Sequence, residues 1–262
     1  MDEPSLPSAA ELGVSDADYE RILRGLGQGQ VEEPLGQVAT RRRSSRIWLG
    51  VLGVVLAVAL LPRLGPGGSQ EPPTYAFLEM VGDQPVAYSS CRLIQVAVYP
   101  AGGPPDAEQL VREAVARVHG ATGLDIVVSG SFGGHAPNWN FEAAPFSTGD
   151  PISVSWQDSA AMAEMTDNIA GLGGSPVFGS PNGTRYRVAG TIALSRDYYA
   201  LLTQRGDHDE ALAVLLHEFG HVVGLDHVDS SRELMYDGNG NLDDYGPGDL
   251  EGLRRLGQGP CI

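Results

Sequence analysis

Three histidines and a glutamate lie within eleven residues near the end of the sequence. His217, Glu218, His221, Gly224 and His227 form the pattern H-E-x-x-H-x-x-G-x-x-H. On a helix, His217 and His221 lie one turn apart, so both imidazoles leave the same face at a spacing that suits two corners of a zinc tetrahedron. Gly224 can end that helix in a left-handed conformation and turn the chain back. His227 would then supply the third nitrogen, which leaves the fourth position open for water or substrate.

Glu218 directly follows the first of these histidines. It can reach a water at the open position without being a ligand, and it is therefore the candidate general base of a hydrolysis. A bare H-E-x-x-H can arise by chance on a polar helix. Here five specified positions match in register, and the preceding residues 211–216 are apolar and favour a helix. The pattern predicts a buried active-site helix that holds zinc.

The pattern is the signature of the metzincin zinc peptidases, and the residues after it resemble the matrixin branch of that group. Met235 stands in a Leu-Met-Tyr sequence that resembles the matrixin Met-turn, in which a methionine supports the metal site from below. Residues 245–257 resemble the matrixin C-terminal helix. Astacins and serralysins have a tyrosine two residues after the methionine, where this chain has Asp237. The resemblance implies peptidase activity on peptide or protein substrates.

The sequence also departs from the matrixin pattern at several points. Val228 replaces the usual serine after the third histidine, and Asp237 replaces the usual proline after Leu-Met-Tyr. The His-Gly-Asp stretch that holds a second, structural zinc in animal matrixins is missing, so we expect one catalytic zinc. A Pro-Arg-Cys-Gly cysteine switch is missing as well, and latency by a thiolate propeptide is therefore not expected.

The order of predicted elements agrees with a zincin-like α+β domain, in which a twisted mixed sheet precedes the active-site helix and a C-terminal helix. Alternation of apolar residues predicts strands, and Pro104-Pro105-Asp106 opens an amphipathic helix that runs to about His119. The predicted strands cover residues 93–99, 124–128, 152–156 and 187–195, the last of which leads into the active-site helix after Gly206-Asp207. The glycine-rich residues 171–178 resemble the entry to the matrixin edge strand, although an ordinary loop is an alternative.

The net charge of −16 excludes nucleic acid as an expected partner, because an acidic surface repels phosphates. Such a surface tolerates calcium, and residues 237–244 offer the alternating oxygen ligands that calcium loops use. The segment fails the EF-hand pattern, since Leu242 and Gly248 replace its glycine and glutamate. A plain turn is the alternative to a calcium site there.

The first 73 residues contain a candidate membrane anchor. A polar tail, residues 1–46, ends in four arginines, and residues 47–61 carry no charge. We expect a signal anchor at residues 47–63 with the tail in the cytoplasm, a Gly/Pro-rich spacer at residues 64–73, and an extracytoplasmic peptidase domain at residues 74–262. The alternative is a signal peptide that is cleaved near Ala59, which would release a secreted protein.

Two cysteines bracket the predicted peptidase domain. In an exported protein an even pair is typical of a disulfide, so we expect a bond between Cys91 and Cys261. Two free thiols are the alternative, as is a zinc latch at Cys91, which its sequence context does not support.

The residues together favour a zinc-dependent endopeptidase that acts outside the cytoplasmic membrane. One alternative is a zinc-containing binding module without turnover, against which the intact Glu218 argues. Another is a narrowly specific processing or signalling peptidase, which the short tail and anchor permit. The sequence leaves the oligomeric state open.

Overall fold

A computed structural model describes residues 74–134, 147–166, 168–238 and 242–262. The expected tail, signal anchor and spacer lie outside these residues. Within the described ranges, no helix has both the length and the apolar character that a membrane span requires.

Over the described ranges the chain forms eleven strands and four helices. The strands are β1 (Ala76–Phe77), β2 (Met80–Val81), β3 (Gln84–Pro85), β4 (Ile94–Tyr99), β5 (Ile126–Ser131), β6 (Ile152–Gln157), β7 (Gly171–Gly174), β8 (Val177–Gly179), β9 (Arg185–Arg187), β10 (Gly190–Ser195) and β11 (Leu225–Asp226). The helices are α1 (Ala107–Thr122), α2 (Arg196–Arg205), α3 (His208–Val223) and α4 (Pro247–Leu256). All of the strands of the main sheet therefore precede the helix that carries the histidines.

Five of these strands form one mixed sheet in the order β5-β4-β6-β10-β7. The first four run parallel to one another, whereas β7 pairs antiparallel with β10 at the edge. Every residue of the inner strands β6 and β10 is buried, as expected for strands covered on both faces. The predicted α+β fold with a mixed sheet is confirmed.

Helices α1 and α3 pack against the sheet and against each other. The apolar face of α1 is buried, as its sequence spacing predicts, and so is most of α3. The buried core joins both helices to the sheet through Leu110, Val111, Val115, Leu215, Leu216, Phe219, Ile152, Val154, Ile192 and Leu194. Because interiors of this kind are close-packed, α3 is held at a fixed position above strands β7 and β10.

The predicted strand at residues 187–195 is wrong as a single element. Ala189 has a φ of 49° and Gly190 a φ of 146°, so the chain changes direction between them. The residues before this break form β9, which pairs with β8 in a separate hairpin, and those after it form β10 of the main sheet.

Helix α2 was also not predicted, because the sequence was expected to lead from the strand into the active-site helix. Ser195 caps its first turn by accepting a hydrogen bond from the backbone N–H of Tyr198, at 3.3 Å. The helix ends at Gly206, whose φ of 67° allows the chain to turn directly into α3. An additional helix therefore lies beside the active-site helix.

The predicted bond between Cys91 and Cys261 is present, with 5.0 Å between the Cα atoms. Polar contacts strengthen the same connection. Ser90 Oγ donates to the carbonyl of Gly259 at 2.8 Å, and Ser89 Oγ accepts from the backbone N–H of Ile262 at 3.0 Å. The segment after α4 is thereby fastened to the segment that leads into β4.

We predict that removing this bond destabilises the domain without changing the site. The bridge closes a loop with a sequence separation of 170 residues. In the chain-entropy model such a loop contributes about 5 kcal/mol, less any strain. The Cys91→Ser/Cys261→Ser double variant should unfold at a lower urea concentration, and dithiothreitol should shift the unmodified chain in the same way. An unchanged urea midpoint in both measurements would contradict the prediction.

Candidate metal centre and active site

Helix α3 carries the first two histidines and ends where the sequence predicts. The N–H of Gly224 donates to the carbonyl of Gly220 at 3.0 Å, and a φ of 122° at Gly224 turns the chain away from the helix axis. Residues Leu225–Asp226 then form β11, which pairs antiparallel with β1. This short pairing fixes the return path and brings His227 back beside the helix.

The three predicted histidines come together around one point. The Nε2 atom of His227 lies 3.1 Å from that of His217 and 3.0 Å from that of His221. In a tetrahedral site with Zn–N bonds of about 2.0–2.1 Å, two nitrogen ligands lie about 3.3–3.4 Å apart. Among the described residues, this is the one group of three histidine, cysteine or acidic side chains that could hold a metal ion.

The hydrogen bonds on the outer side of the rings show why a cation fits. His217 Nδ1–H donates to the carbonyl of Leu234 at 2.8 Å, and His221 Nδ1–H donates to the carbonyl of Leu225 at 3.0 Å. A carbonyl oxygen only accepts, so Nδ1 of each neutral ring carries the proton and Nε2 presents a lone pair. These two lone pairs face the same place as His227 Nε2, and three imidazole nitrogens are a donor set that zinc prefers.

Burial also keeps the rings in the form that binds metal. Burial is the main cause that lowers the pKa of His217 to about 4, and it holds the pKa of His221 well below its usual value. Both imidazoles are therefore neutral at physiological pH, as metal ligands must be.

Met235 lies beneath the site, as the resemblance implies. Its side chain is buried, and a Cβ atom on Gly220 would lie 2.4 Å from its sulfur. Gly220 falls between the two helical ligands in the sequence, and its lack of a side chain lets Met235 contact the backbone of α3. The methionine therefore packs against the helix turn that carries His217 and His221.

The Met-turn is held by a buried carboxylate that sequence reasoning missed. Asp249 accepts hydrogen bonds from the backbone N–H groups of Leu234 and Met235 and from that of Gly246. Burial is the main cause that raises the pKa of Asp249 to about 6. The carbonyl of Leu234 accepts the hydrogen bond that orients His217. Asp249 of α4 therefore supports the metal site through the backbone of Leu234.

The two departures from the matrixin pattern take part in this turn through their backbones. Val228 donates its N–H to the carbonyl of Met235 at 2.9 Å and accepts from the N–H of Asp237 at 3.4 Å. A proline at position 237 could not make the second bond. Asp237 also places a carboxylate oxygen 3.5 Å from His227 Nδ1.

Glu218 lies at the edge of the metal site and is buried. Strand β7 crosses directly over it, because a Cβ on Gly171 would lie 2.8 Å from the Glu218 side chain and one on Gly173 would lie 2.3 Å from its carbonyl oxygen. The glycines of the predicted edge strand therefore allow sheet and helix to touch. Burial raises the pKa of Glu218 to about 8, a shift that a bound cation would oppose.

The other histidines among the described residues, and the segment considered for calcium, lie away from the three Nε2 atoms. His119 Nδ1 is 2.7 Å from the carbonyl of Leu124, and His208 Nε2 is 3.2 Å from Glu113. In the segment proposed for calcium, Asp244 pairs with Arg117, whereas residues 239–241 lie outside the described ranges. The two histidines therefore have hydrogen-bond partners of their own, and calcium binding stays a prediction.

A cavity of about 330 Å³ opens in front of the metal site. Its described lining includes His217, Glu218 and His227, together with residues of β7, the Met-turn and α2. Tyr198 and Glu210 belong to this lining and were not predicted. A signal for Glu210 existed, because it stands seven residues before His217 and so shares its helix face. A signal for Tyr198 did not, because α2 itself was missed.

The family model described as Matrixin matches residues 136–245, which include all three histidines, Glu218 and Met235. The match supports a zinc metallopeptidase in general, and over these residues it agrees with the resemblance to the matrixins that the sequence predicts. No curated protein matches the sequence.

Two solved structures are similar to the chain at low identity. Archaemetzincin from Methanopyrus kandleri is 14% identical, with a TM-score of 0.41, over 64% of this chain and 96% of that one. Metalloproteinase-II from Bacteroides fragilis is 17% identical, with a TM-score of 0.31, over 73% of this chain and 59% of that one.

We predict that Asp249→Ala weakens zinc binding although Asp249 is not a ligand. The substitution removes the acceptor of three backbone N–H groups and loosens the turn that orients His217. Loss of such support lowers metal affinity by about 10-fold or more. Competition with a chromogenic zinc chelator measures the effect, and Asp249→Asn, which keeps one acceptor oxygen, should bind more tightly than Asp249→Ala. Equal affinity in Asp249→Ala and the unmodified chain would refute the connection.

Proposed function

We propose that the protein is a zinc-dependent endopeptidase in which Glu218 acts as the general base. The observation that carries this proposal is that three histidine Nε2 atoms converge next to the buried carboxylate of Glu218, which is not a member of the ligand group. A binding module would need the three ligands but would have no use for Glu218. An enzyme that hydrolyses peptide bonds needs both.

His217, His221 and His227 would hold the ion as neutral imidazoles. When bound, zinc acidifies a coordinated water and polarises the scissile carbonyl. The backbone carbonyls behind the first two rings keep the Nε2 lone pairs aimed at the ion. Met235 contributes no chemistry and supports the helix turn beneath the ligands.

Glu218 moves the protons of the reaction. Its carboxylate accepts a proton from the attacking water and returns a proton to the nitrogen of the leaving amine. Burial under β7 keeps the side chain in a fixed position, and the proton that it accepts from water is the one that it delivers to the leaving amine. The same group can therefore act first as base and then as acid.

Strand β7 offers a binding edge for the substrate backbone. It pairs with β10 on one side, and among the described residues no strand of the sheet covers its other side. An extended peptide can add to such an edge through main-chain hydrogen bonds. Because β7 lies directly over Glu218, a peptide at this edge would pass the metal site.

We predict that Glu218→Ala keeps one zinc per chain and the fold but loses hydrolysis. Loss of acid–base assistance should lower the rate by about 100- to 10,000-fold. The full-length chain is assayed with a proteome-derived peptide library, with and without a zinc chelator, and its zinc content is measured in parallel. Glu218→Gln is the matched control, since its shape is nearly unchanged while its basicity is lost, and it should be as inactive as Glu218→Ala.

Two outcomes would contradict the proposal. Full activity of Glu218→Ala would refute the role of the general base. A zinc-loaded unmodified chain that cleaves no peptide in the library would favour the non-catalytic binding module.

We further propose that the peptidase domain acts outside the cytoplasmic membrane, on the basis of the four arginines before the uncharged residues 47–61. A phosphatase reporter that requires export, fused after Ile262, should be active in cells. A reporter that is active only in the cytoplasm should be inactive at the same position. The reverse result would exclude both the anchored and the secreted form.

A further inference from the structure

The cavity in front of the metal site continues along α3 away from the histidines. Glu210, Val214 and His217 line it and stand at helix positions i, i+4 and i+7, so they lie on one face. At a rise of about 1.5 Å per residue, Glu210 lies about 10 Å along the axis from His217. A side chain that flanks the scissile bond can therefore enter at the metal and reach toward Glu210.

Glu210 is fixed at this end of the cavity by helix α2. The phenolic O–H of Tyr198 donates to Glu210 Oε1 at 3.0 Å. Burial and this hydrogen bond raise the pKa of Tyr198, so the phenol keeps its proton and remains a donor. A carboxylate has about four acceptor sites, and one phenolic bond does not saturate it.

Among the described residues that line the cavity, the acidic side chains are not balanced by lysine or arginine. Four carboxylates and no lysine or arginine stand among its described lining residues. Three of the four have assigned contacts or roles: Glu218 is the base, Glu233 accepts from the backbone of Gly248, and Asp237 faces His227. Glu210 is the carboxylate that a substrate side chain would meet.

The walls between the metal and Glu210 are apolar. Ala213 and Val214 lie on the α3 side, and Ile169 and Leu242 belong to the rest of the lining. Lysine and arginine have apolar stems that pack along such walls while the charged group stays at a polar end. Apolar walls that end in a carboxylate match this shape and charge better than they match a purely aliphatic side chain.

We propose that Glu210 is a specificity-determining residue that selects a lysine or arginine next to the scissile bond. The inference rests on the proposed function, because it assumes that this cavity receives the substrate. The apolar walls hold the stem of the side chain, and the Glu210 carboxylate, positioned by Tyr198, binds its cationic end. A charge-assisted hydrogen bond of this kind is worth about 10- to 100-fold in affinity.

Binding of two peptide hydroxamates to the zinc-loaded full-length chain tests the proposal without requiring turnover. The two probes are identical except that the side chain beside the hydroxamate is lysine in one and norleucine in the other. The lysine probe should bind about 10- to 100-fold more tightly, and the preference should decrease as salt is raised. Glu210→Gln should bring the ratio of the two Kd values close to 1 and leave the norleucine Kd nearly unchanged.

Asp209→Asn is the matched control. Asp209 lies in the same first turn of α3 and loses the same charge, but it is exposed and does not line the cavity. This variant should keep the lysine preference, which separates a local contact from the general effect of an acidic surface.

Three results would overturn the proposal: equal binding of both probes to the unmodified chain, an undiminished preference in Glu210→Gln, or no binding of either probe to zinc-loaded protein. A lysine preference that depends on Glu210, in a chain that hydrolyses no peptide, would support the cavity assignment. That result would at the same time refute the proposed peptidase activity.

Discussion

The central physical constraint of this structure is that three imidazole Nε2 atoms must be held at van der Waals contact or closer. The Nε2 atoms lie 3.0–3.1 Å apart in the two pairs that involve His227. The protein has to hold the Nε2 lone pairs of His217 and His221 toward the same place as His227 Nε2. Carbonyl groups orient the rings, Met235 packs beneath the helix, and Asp249 holds the turn that supplies one of those carbonyls.

Close approach of sheet and helix is the second requirement of the site. Strand β7 can lie on α3 because it has no side chains at Gly171 and Gly173. This contact buries Glu218 and at the same time places a residue of the edge strand, Gly171, in the wall of the cavity that His217 and His227 also line. One packing arrangement therefore sets both the burial of Glu218 and the position of the open strand edge beside it.

The local parts of the site could be predicted from the sequence, whereas its long-range supports could not. The spacing of His217, His221 and His227 is a property of one helix and the turn after it, and it predicted the ligand geometry. Asp249 lies in α4 and binds the backbone of the Met-turn, 14 and 15 residues earlier in the sequence. No helix or strand periodicity in the sequence indicates a contact of this kind. Helix α2 was missed because only Tyr199 and Leu202 of its ten residues are buried, which gives too little apolar periodicity. The break at Ala189 depends on a positive φ, which an alanine does not indicate.

X-ray absorption at the zinc edge of the metal-loaded full-length chain tests the central claim most directly. The account predicts one zinc per chain with three imidazole nitrogens and one oxygen at about 2.0–2.1 Å, and no sulfur ligand. If the zinc of the His227→Ala variant has one nitrogen ligand fewer, His227 is the third ligand, the one that follows the active-site helix. A sulfur in the first coordination shell, a fourth nitrogen, or an unchanged spectrum in His227→Ala would contradict the account.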